Sequence, residues 1–287
     1  MLRSLAPSTR REILRRFLEE DIGRGDITTL PIGPPDRKAV GHFLAKVPLV
    51  LAGIELAIEV LSLLDEDLAV ESRRRDGDHL RQGDRAASVR GQARALLTGE
   101  RVATNLLQHL SGVATLTKKY VDAVEGTTAR IVDTRKTTPG LRVLEKYAVT
   151  VGGGVNHRFG LDDAIMIKDN HIKIAGGIRP ALEAARLAGN RVHRVSVEVS
   201  TLDELQEAVQ YDIDAVLLDN MKPEMVRRAV ELVRASPNGR RILVEASGGM
   251  TLDNVRRFAE AGVDWVSVGA LTHSAPAVDM SFKIEPA

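Results

Sequence analysis

The segment VDTRKTTPGLRVLEKYAVTVGGGVNHRFG, residues 132–160, gathers Arg135, Lys136, Arg142, Lys146, His157 and Arg158 against only the acids Asp133 and Glu145. A guanidinium matches a carboxylate or phosphate through two parallel hydrogen bonds, whereas an ammonium acts as a point charge. With Lys168, the set Arg135, Lys136, His157 and Arg158 exceeds what one monophosphate needs. Converging side chains of one sign repel unless a polyanion sits among them. Other chemistry stands where short apolar runs end: Lys168, Asp169, Asn170 and His171 after IMI, Glu198 in VSVEVS, Asp219 in VLLDN, Glu245, Ser247, Gly248 and Gly249 in LVEASGG, Gly269 and Ala270 in VSVGA. Glu198 and Asp219 are hard oxygen donors of the kind Mg2+ takes, the metal completing its shell with water and substrate phosphate; an ion pair with Lys168 or Lys136 is the competing use of each. Ser247, Gly248, Gly249, Gly269 and Ala270 are small enough for backbone N–H groups to approach a phosphate, the competing use of Gly248–Gly249 being a plain turn. The combination predicts a polyanionic organic molecule bound beside a Mg2+-diphosphate, hence phosphoribosyl transfer, with the acceptor unnamed. Arg142 and Lys146 are assigned to a short helix as surface charge paired with Glu145. Gly152–Gly154 lacks the strand–GxGxxG–helix spacing of a dinucleotide site and is assigned as a flexible turn delivering His157 and Arg158.

Such residues need a scaffold. From about Gly99 a long amphipathic pattern, with a break at Gly112, precedes β-branched runs (ARIVDT, DAIMIKDN, RVSVEVS, DAVLLDN, RILVEASGG, DWVSVGA). Helical stretches such as TLDELQEAVQ, KPEMVRRAVELVRA and TLDNVRRFAEA separate the later ones. Apolar strands alternating with amphipathic helices predict parallel βα units, and functional groups at every strand end favour a barrel. Before Gly99 the pattern is α+β: a helix capped by Ser8, a helix over GIELAIEVLSLL, and strands over AVGHFLAK and AASVRGQARALL. The fold class is therefore α/β, with an N-terminal α+β domain over 1–112 and a parallel α/β barrel over 113–272.

Lys and Arg total 40 against 39 Asp and Glu, which argues against nucleic acid as a partner. The chain has no cysteine, so thiolate metal sites and thiol nucleophiles are excluded and a reducing cytoplasm suits it. No run reaches the ~18 apolar residues of a membrane span, and the N-terminus lacks a signal-peptide pattern.

EDIGRGDITT, TRKTTPGLRVLEKYAVTVGGGVNHRFGLDDAIMIKDNH, VLLDN, EASGG and VDWVSVGALTHS resemble, in order and over almost the whole chain, the quinolinate phosphoribosyltransferase family. The resemblance implies that the barrel is incomplete (open), that residues 273–287 pack back on the N-terminal domain, and that the chain forms a homodimer with shared active sites, assembly beyond the dimer being left open. It implies the substrates quinolinate and 5-phosphoribosyl 1-diphosphate, with Mg2+ as cofactor. Matched motif by motif, Arg101 of the partner subunit joins Arg135, His157, Arg158 and Lys168 on the quinolinate carboxylates. Lys136 contacts the phosphoribosyl diphosphate, Glu198 and Asp219 its ribose and Mg2+, and Ser247, Gly248, Gly249, Gly269 and Ala270 its 5′-phosphate. Lys136, Glu198 and Asp219 are thereby the implied catalytic set. The family's Glu-Val-Glu is here Glu198-Val199-Ser200, so no acid role passes to position 200. The rivals are the related ModD family linked to molybdenum transport, a nicotinate phosphoribosyltransferase, and a non-catalytic barrel that binds an anionic metabolite.

Overall fold

Pro7, one residue before the assigned cap Ser8, opens the first helix of the computed structural model, which describes residues 6–32, 34, 36–188 and 193–287. Proline suits that position because its fixed φ is already helical and its missing N–H has no partner to lose. The chain divides into two compact units, one made of Met1–Lys118, Pro139–Gly153 and Ala275–Ala287, the other of Lys119–Thr138 and Gly154–Ser274. The division does not follow a single cut at 112/113.

The first unit holds helices α1 (Pro7–Ile22), α2 (Thr29–Ile32), α3 (Ile54–Ser62), most of α4 (Ala93–Ala123) and α5 (Arg142–Val151). Its strands are β1 (Lys38–Ala45), β2 (Leu49–Val50), β3 (Ala69–Arg73), β4 (His79–Leu80), β5 (Arg85–Gln92) and β12 (Met280–Pro286). An antiparallel sheet runs β12-β1-β5-β3, with Ala39 opposite Pro286 and Ala45 opposite Met280. The Phe282 ring lies 4.4 Å from that of Phe43 and covers Gly41, where a Cβ would meet the ring at 2.1 Å. Strand β5 ends at Gln92, so ARALL, assigned to a strand, is the first turn of α4.

Two glycines assigned as weak points are instead close approaches. Helix α4 runs through Gly112 unbroken, and a Cβ there would stand 2.2 Å from the Pro276 carbonyl. A Cβ on Gly152 would stand 2.4 Å from the Ala114 carbonyl, so the glycine turn is closely packed. Glu145 and Lys146 correct a further expectation: neither is surface charge, both being fully buried on α5 with Leu144, Ala148 and Val149. Burial of a charge is tolerated only with hydrogen-bonding partners, and Glu145 Oε1 lies 2.9 Å from His109 Nε2.

The second unit is one parallel sheet of β6 (Arg130–Val132), β7 (Ile165–Ile167), β8 (Val195–Val199), β9 (Ala215–Asp219), β10 (Leu243–Ser247) and β11 (Trp265–Ser267), in the order β6-β11-β10-β9-β8-β7. Helices α6 (Asp169–Ala175), α7 (Ile178–Ala188), α8 (Leu202–Ala208), α9 (Pro223–Ala235), α10 (Val255–Ala259) and α11 (Ala270–His273) alternate with the strands. The end strands β6 and β7 are not paired among the described residues, so the barrel is open. Local chemistry starts its helices: Thr201 and Glu204 form a capping box on α8, and Pro223 opens α9.

Asp26 fastens α2. Its Oδ1 accepts the backbone N–H groups of Thr28 and Thr29 at 3.1 and 2.8 Å, and its Oδ2 the Thr98 hydroxyl of α4 at 3.0 Å. Bonds from Thr29, then from Thr98 and Thr28, hold the carboxyl at about 2, below its ordinary 3.8. A depressed folded-state pKa stabilises fully above the unfolded value and is lost as pH falls through the folded one. Asp26→Ala should therefore melt below the wild type at pH 6, with the gap closing between pH 4 and pH 2; a gap constant over that range contradicts the assignment.

Candidate functional site

All six strands of the open barrel, or the residues just after them, line one cavity of about 470 Å³ at their C-terminal ends. Thr134, Arg135 and Lys136 follow β6; Met166 and Lys168 come from β7, Glu198 from β8, Leu217, Asp219 and Asn220 from β9, Glu245 and Ser247 from β10, and Ser267 from β11. His157 and Arg158 enter on the turn whose Val155 bridges in parallel to Val132 of β6. Eight of the sequence-assigned residues thus share one wall: Arg135, Lys136, His157, Arg158, Lys168, Glu198, Asp219 and Ser247. Gly248, Gly249, Gly269 and Ala270 are not in the cavity lining, and Arg101 lies exposed on α4 in the other unit.

The electrostatics are uneven. Burial holds the Arg158 guanidinium below its ordinary pKa, the Arg135 charge adds to that, and Asp163 opposes both. Arg158 Nη1 donates to the Ala164 carbonyl at 2.9 Å, which directs the side chain. Lys168 Nζ stands 3.0 Å from Glu198 Oε2, so the competing use foreseen for Glu198 is realised inside the cavity itself. Asp169 and His171 are spent locally: the first pairs with Lys173 at 3.0 Å, and the second accepts the Lys168 N–H at 2.9 Å. Among the described residues no group of three or more His, Asp or Glu is placed to hold a metal by protein ligands alone.

The phosphate-type loops show why their residues are small. Gly248 and Gly249 take φ of +97° and +59°, and a Cβ on Gly248 would meet Asn220 Oδ1 at 2.2 Å. The stem of Lys136 packs on Gly269, where a Cβ would lie 3.3 Å from its Cδ, and the Lys136 carbonyl accepts the Thr272 hydroxyl at 2.8 Å.

Six lining residues carry no assigned role: Thr134, Met166, Leu217, Glu245, Ser267 and Asn220. Glu245 is buried and Ser267 donates its hydroxyl to it; both lie on strands whose other residues had been singled out, and alternation along β10 and β11 was the available signal. Asn220 is the single non-glycine residue with positive φ among those described, at 54°. Its Nδ2 donates to Asp219 Oδ2 at 2.8 Å and its N–H to the Ser247 carbonyl at 3.0 Å, locking the Asp219 carboxylate to the next strand end.

A parallel open barrel that crowds cations and two carboxylates at its strand ends is the framework of an enzyme for anionic substrates. Comparison with known proteins gives the family. Residues 26–111 match the model of the quinolinate phosphoribosyl transferase N-terminal domain, and residues 113–283 that of its C-terminal domain. The chain belongs to the quinolinate phosphoribosyl transferase family. It is 43% identical over 274 residues to the probable nicotinate-nucleotide pyrophosphorylase [carboxylating] of Bacillus subtilis, covering 96% of this chain and 93% of that protein. It is 42% identical over 280 residues to the nicotinate-nucleotide pyrophosphorylase [carboxylating] of Mycobacterium leprae, covering 96% of each. The crystal structure of NadC from Streptococcus pyogenes superposes with a TM-score of 0.92 at 40% identity, over 99% of this chain and 100% of that one.

The left-handed backbone at Asn220 gives a test of its local role. Glycine adopts positive φ without the Cβ penalty, roughly 1–2 kcal/mol for other residues. Asn220→Gly should be more stable than Asn220→Ala by about 1 kcal/mol in urea unfolding, the reverse of their order in a helix or strand; Ala equal to or above Gly contradicts the strained geometry.

Proposed function

We propose that the protein transfers the phosphoribosyl group of 5-phosphoribosyl 1-diphosphate to quinolinate and releases diphosphate and CO2, giving nicotinate mononucleotide. The observation that carries this reading is the single cavity in which Arg135, Arg158 and Lys168 face Glu198 and Asp219. A pyridine with two adjacent carboxylates relieves the repulsion between Arg135 and Arg158, which a monocarboxylate would leave half satisfied. The relatives' names favour this reading over the molybdenum-linked one.

In the proposed reaction the quinolinate nitrogen lone pair forms the bond to ribose C1 as the C1–diphosphate bond breaks, the diphosphate leaving with the electron pair. Positive charge that grows on the ribose is met by Glu198 and Asp219, and charge on the departing diphosphate by Lys136. The adduct carries a cationic ring nitrogen next to the 2-carboxylate. CO2 then departs, its bonding pair remains at C2 beside that nitrogen, and a proton is taken up there. Arg and Lys hold the carboxylates by hydrogen bonds, which release the 2-carboxylate as CO2 without a covalent enzyme intermediate. Glu198 and Asp219, hard oxygen donors at the ends of adjacent strands, suit Mg2+, and with substrate oxygens they would hold it. The metal when bound supplies charge neutralisation of the diphosphate. Ser247, with the backbone of Gly248, Gly249, Gly269 and Ala270, is proposed to receive the 5′-phosphate.

We further propose a homodimer with shared sites. Ile27, Leu30, Ile32 and Leu97 are large apolar side chains left exposed on α2, its approach and α4, and Arg101 follows Leu97 by one helical turn. Such a patch gains by burial against a second copy, and Arg101 of the partner subunit would add a further cation to the acceptor pocket. The cysteine-free chain suits a reducing compartment, and the cytoplasm is the proposed location; no described helix is long and apolar enough to cross a membrane.

Incubation with both substrates and Mg2+ should yield nicotinate mononucleotide by mass spectrometry, and Glu198→Ala should lower kcat by about 10²–10³-fold. Binding without turnover in the wild type would identify an anion-binding barrel instead. Mixed Arg101→Ala and Lys136→Ala subunits should regain activity that neither variant has alone, since one hybrid site carries neither substitution. No recovery after verified subunit exchange contradicts the shared site.

A further inference from the structure

His157 was assigned as one of the cations of the acceptor pocket, yet both its ring nitrogens are used within the fold. The backbone N–H of Arg158 donates to Nδ1 at 2.6 Å. A backbone N–H can only donate, so Nδ1 carries no proton in this geometry, and a neutral ring must carry its proton on Nε2. Nε2 stands 3.2 Å from Glu245 Oε2, which accepts it. The peptide N–H excludes a proton on Nδ1 as long as the ring keeps this orientation, and Glu245, by accepting the Nε2–H, holds the ring in it. An imidazolium would set its Nδ1–H against the Arg158 N–H, two donors face to face.

We propose that Glu245 is a positioning residue: it fixes His157 as the Nε2–H tautomer, so that the ring stands in the acceptor pocket as an uncharged wall and its Nδ1 holds the backbone of Arg158. This rests on the phosphoribosyl-transfer reading for its consequence, but not for the tautomer itself.

Glu245 has the surroundings such a role requires. It lies mid-strand on β10 with 2% of its surface exposed, and its other oxygen, Oε1, accepts the buried Ser267 hydroxyl. A buried carboxylate must have each oxygen answered by a donor, and these two groups answer both. The turn carrying His157 is pinned elsewhere as well. Asp133, fully buried after β6, accepts the His157 N–H at 2.8 Å on Oδ1 and the Asn156 amide at 2.6 Å on Oδ2. The imidazole edge meets the Trp265 ring at a centroid distance of 5.9 Å and 69°. Residues 156–158 are therefore held by two buried acids, Asp133 just after β6 and Glu245 on β10. The arrangement delivers Arg158 at a defined point, where Ala164 then orients its guanidinium.

The consequence for the reaction is a smaller count of cations. Arg135 and Arg158 already oppose one another's charge, and a third positive group in the same cavity would add to that cost. With the ring neutral, the substrate carboxylates are met by guanidinium and ammonium groups alone. Glu245 then influences acceptor binding through two relayed hydrogen bonds, from carboxylate to imidazole and from imidazole to the Arg158 peptide.

The full-length protein labelled with 15N-histidine tests this by long-range 1H–15N correlation, the His157 signals being assigned by their absence in His157→Asn. The expected pattern is a protonated Nε2 and an unprotonated Nδ1, unchanged when quinolinate is added to saturation. A ring protonated on Nδ1, or on both nitrogens, in either sample overturns the proposal. In Glu245→Gln the amide oxygen can still accept from Nε2, so the tautomer should persist and KM for quinolinate should stay within about threefold of the wild type. Glu245→Ala should mix the two tautomers and raise that KM roughly tenfold, by loss of one hydrogen-bonded partner, with KM for the phosphoribosyl donor unmoved. Equal effects of Gln and Ala on the quinolinate KM overturn the relay. Should Glu245→Ala fail to fold, the wild-type and Gln spectra still decide. Absence of turnover would defeat the functional reading while leaving the tautomer result to stand or fall separately.

Discussion

Arg135 and Arg158 stand close enough in one half-buried cavity to oppose one another's charge, and the rest of the site is arranged around that repulsion. Like charges are held together only by a scaffold that fixes each independently. Arg135 sits directly after a strand of the sheet, and Arg158 is set by a turn anchored on two buried acids. Lys168 follows a third strand and is neutralised in part by Glu198 at 3.0 Å. Each cation is placed by a different element. Under the proposed reaction, a ligand carrying two carboxylates would answer both guanidinium groups at once.

The two carboxylates that face the cations are placed with equal care. Glu198 and Asp219 stand at the ends of neighbouring strands, and Asn220 accepts a left-handed backbone to hold the Asp219 side chain. In the proposed reaction these carboxylates would meet the positive charge that grows on the ribose as the glycosidic bond loosens. Phosphoribosyl transfer requires no nucleophile from the protein, and the chain has no cysteine.

Much of this was legible in the sequence. β-branched runs alternating with amphipathic helices gave the parallel units; their ends gave Arg135, Lys136, Lys168, Glu198, Asp219, Glu245 and Ser247, and the basic segment gave His157 and Arg158, all of which share the cavity. The misses have physical causes. Gly112 and Gly152 read as breakers, because a sequence does not reveal which backbone will approach within 2.4 Å of the missing side chain. Glu145 and Lys146 read as a surface pair since charged residues are seldom fully buried; the buried positions of α5 and the His109 ring decide otherwise. Ser8 is a good cap by type, but Pro7 is better placed at the first helical position. Glu245 was visible as a strand-end acid, yet its partners, Ser267 and His157, come from distant stretches of the chain.

The central claim is that the cations of the cavity converge on the two carboxylates of one pyridine. A crystal structure with quinolinate bound tests it most directly. The account predicts both carboxylates against Arg135, Arg158 and Lys168, with the His157 ring beside them and still bonded to Glu245. Quinolinate bound away from the strand ends, or these side chains turned outward into separate surface pairs, would contradict it.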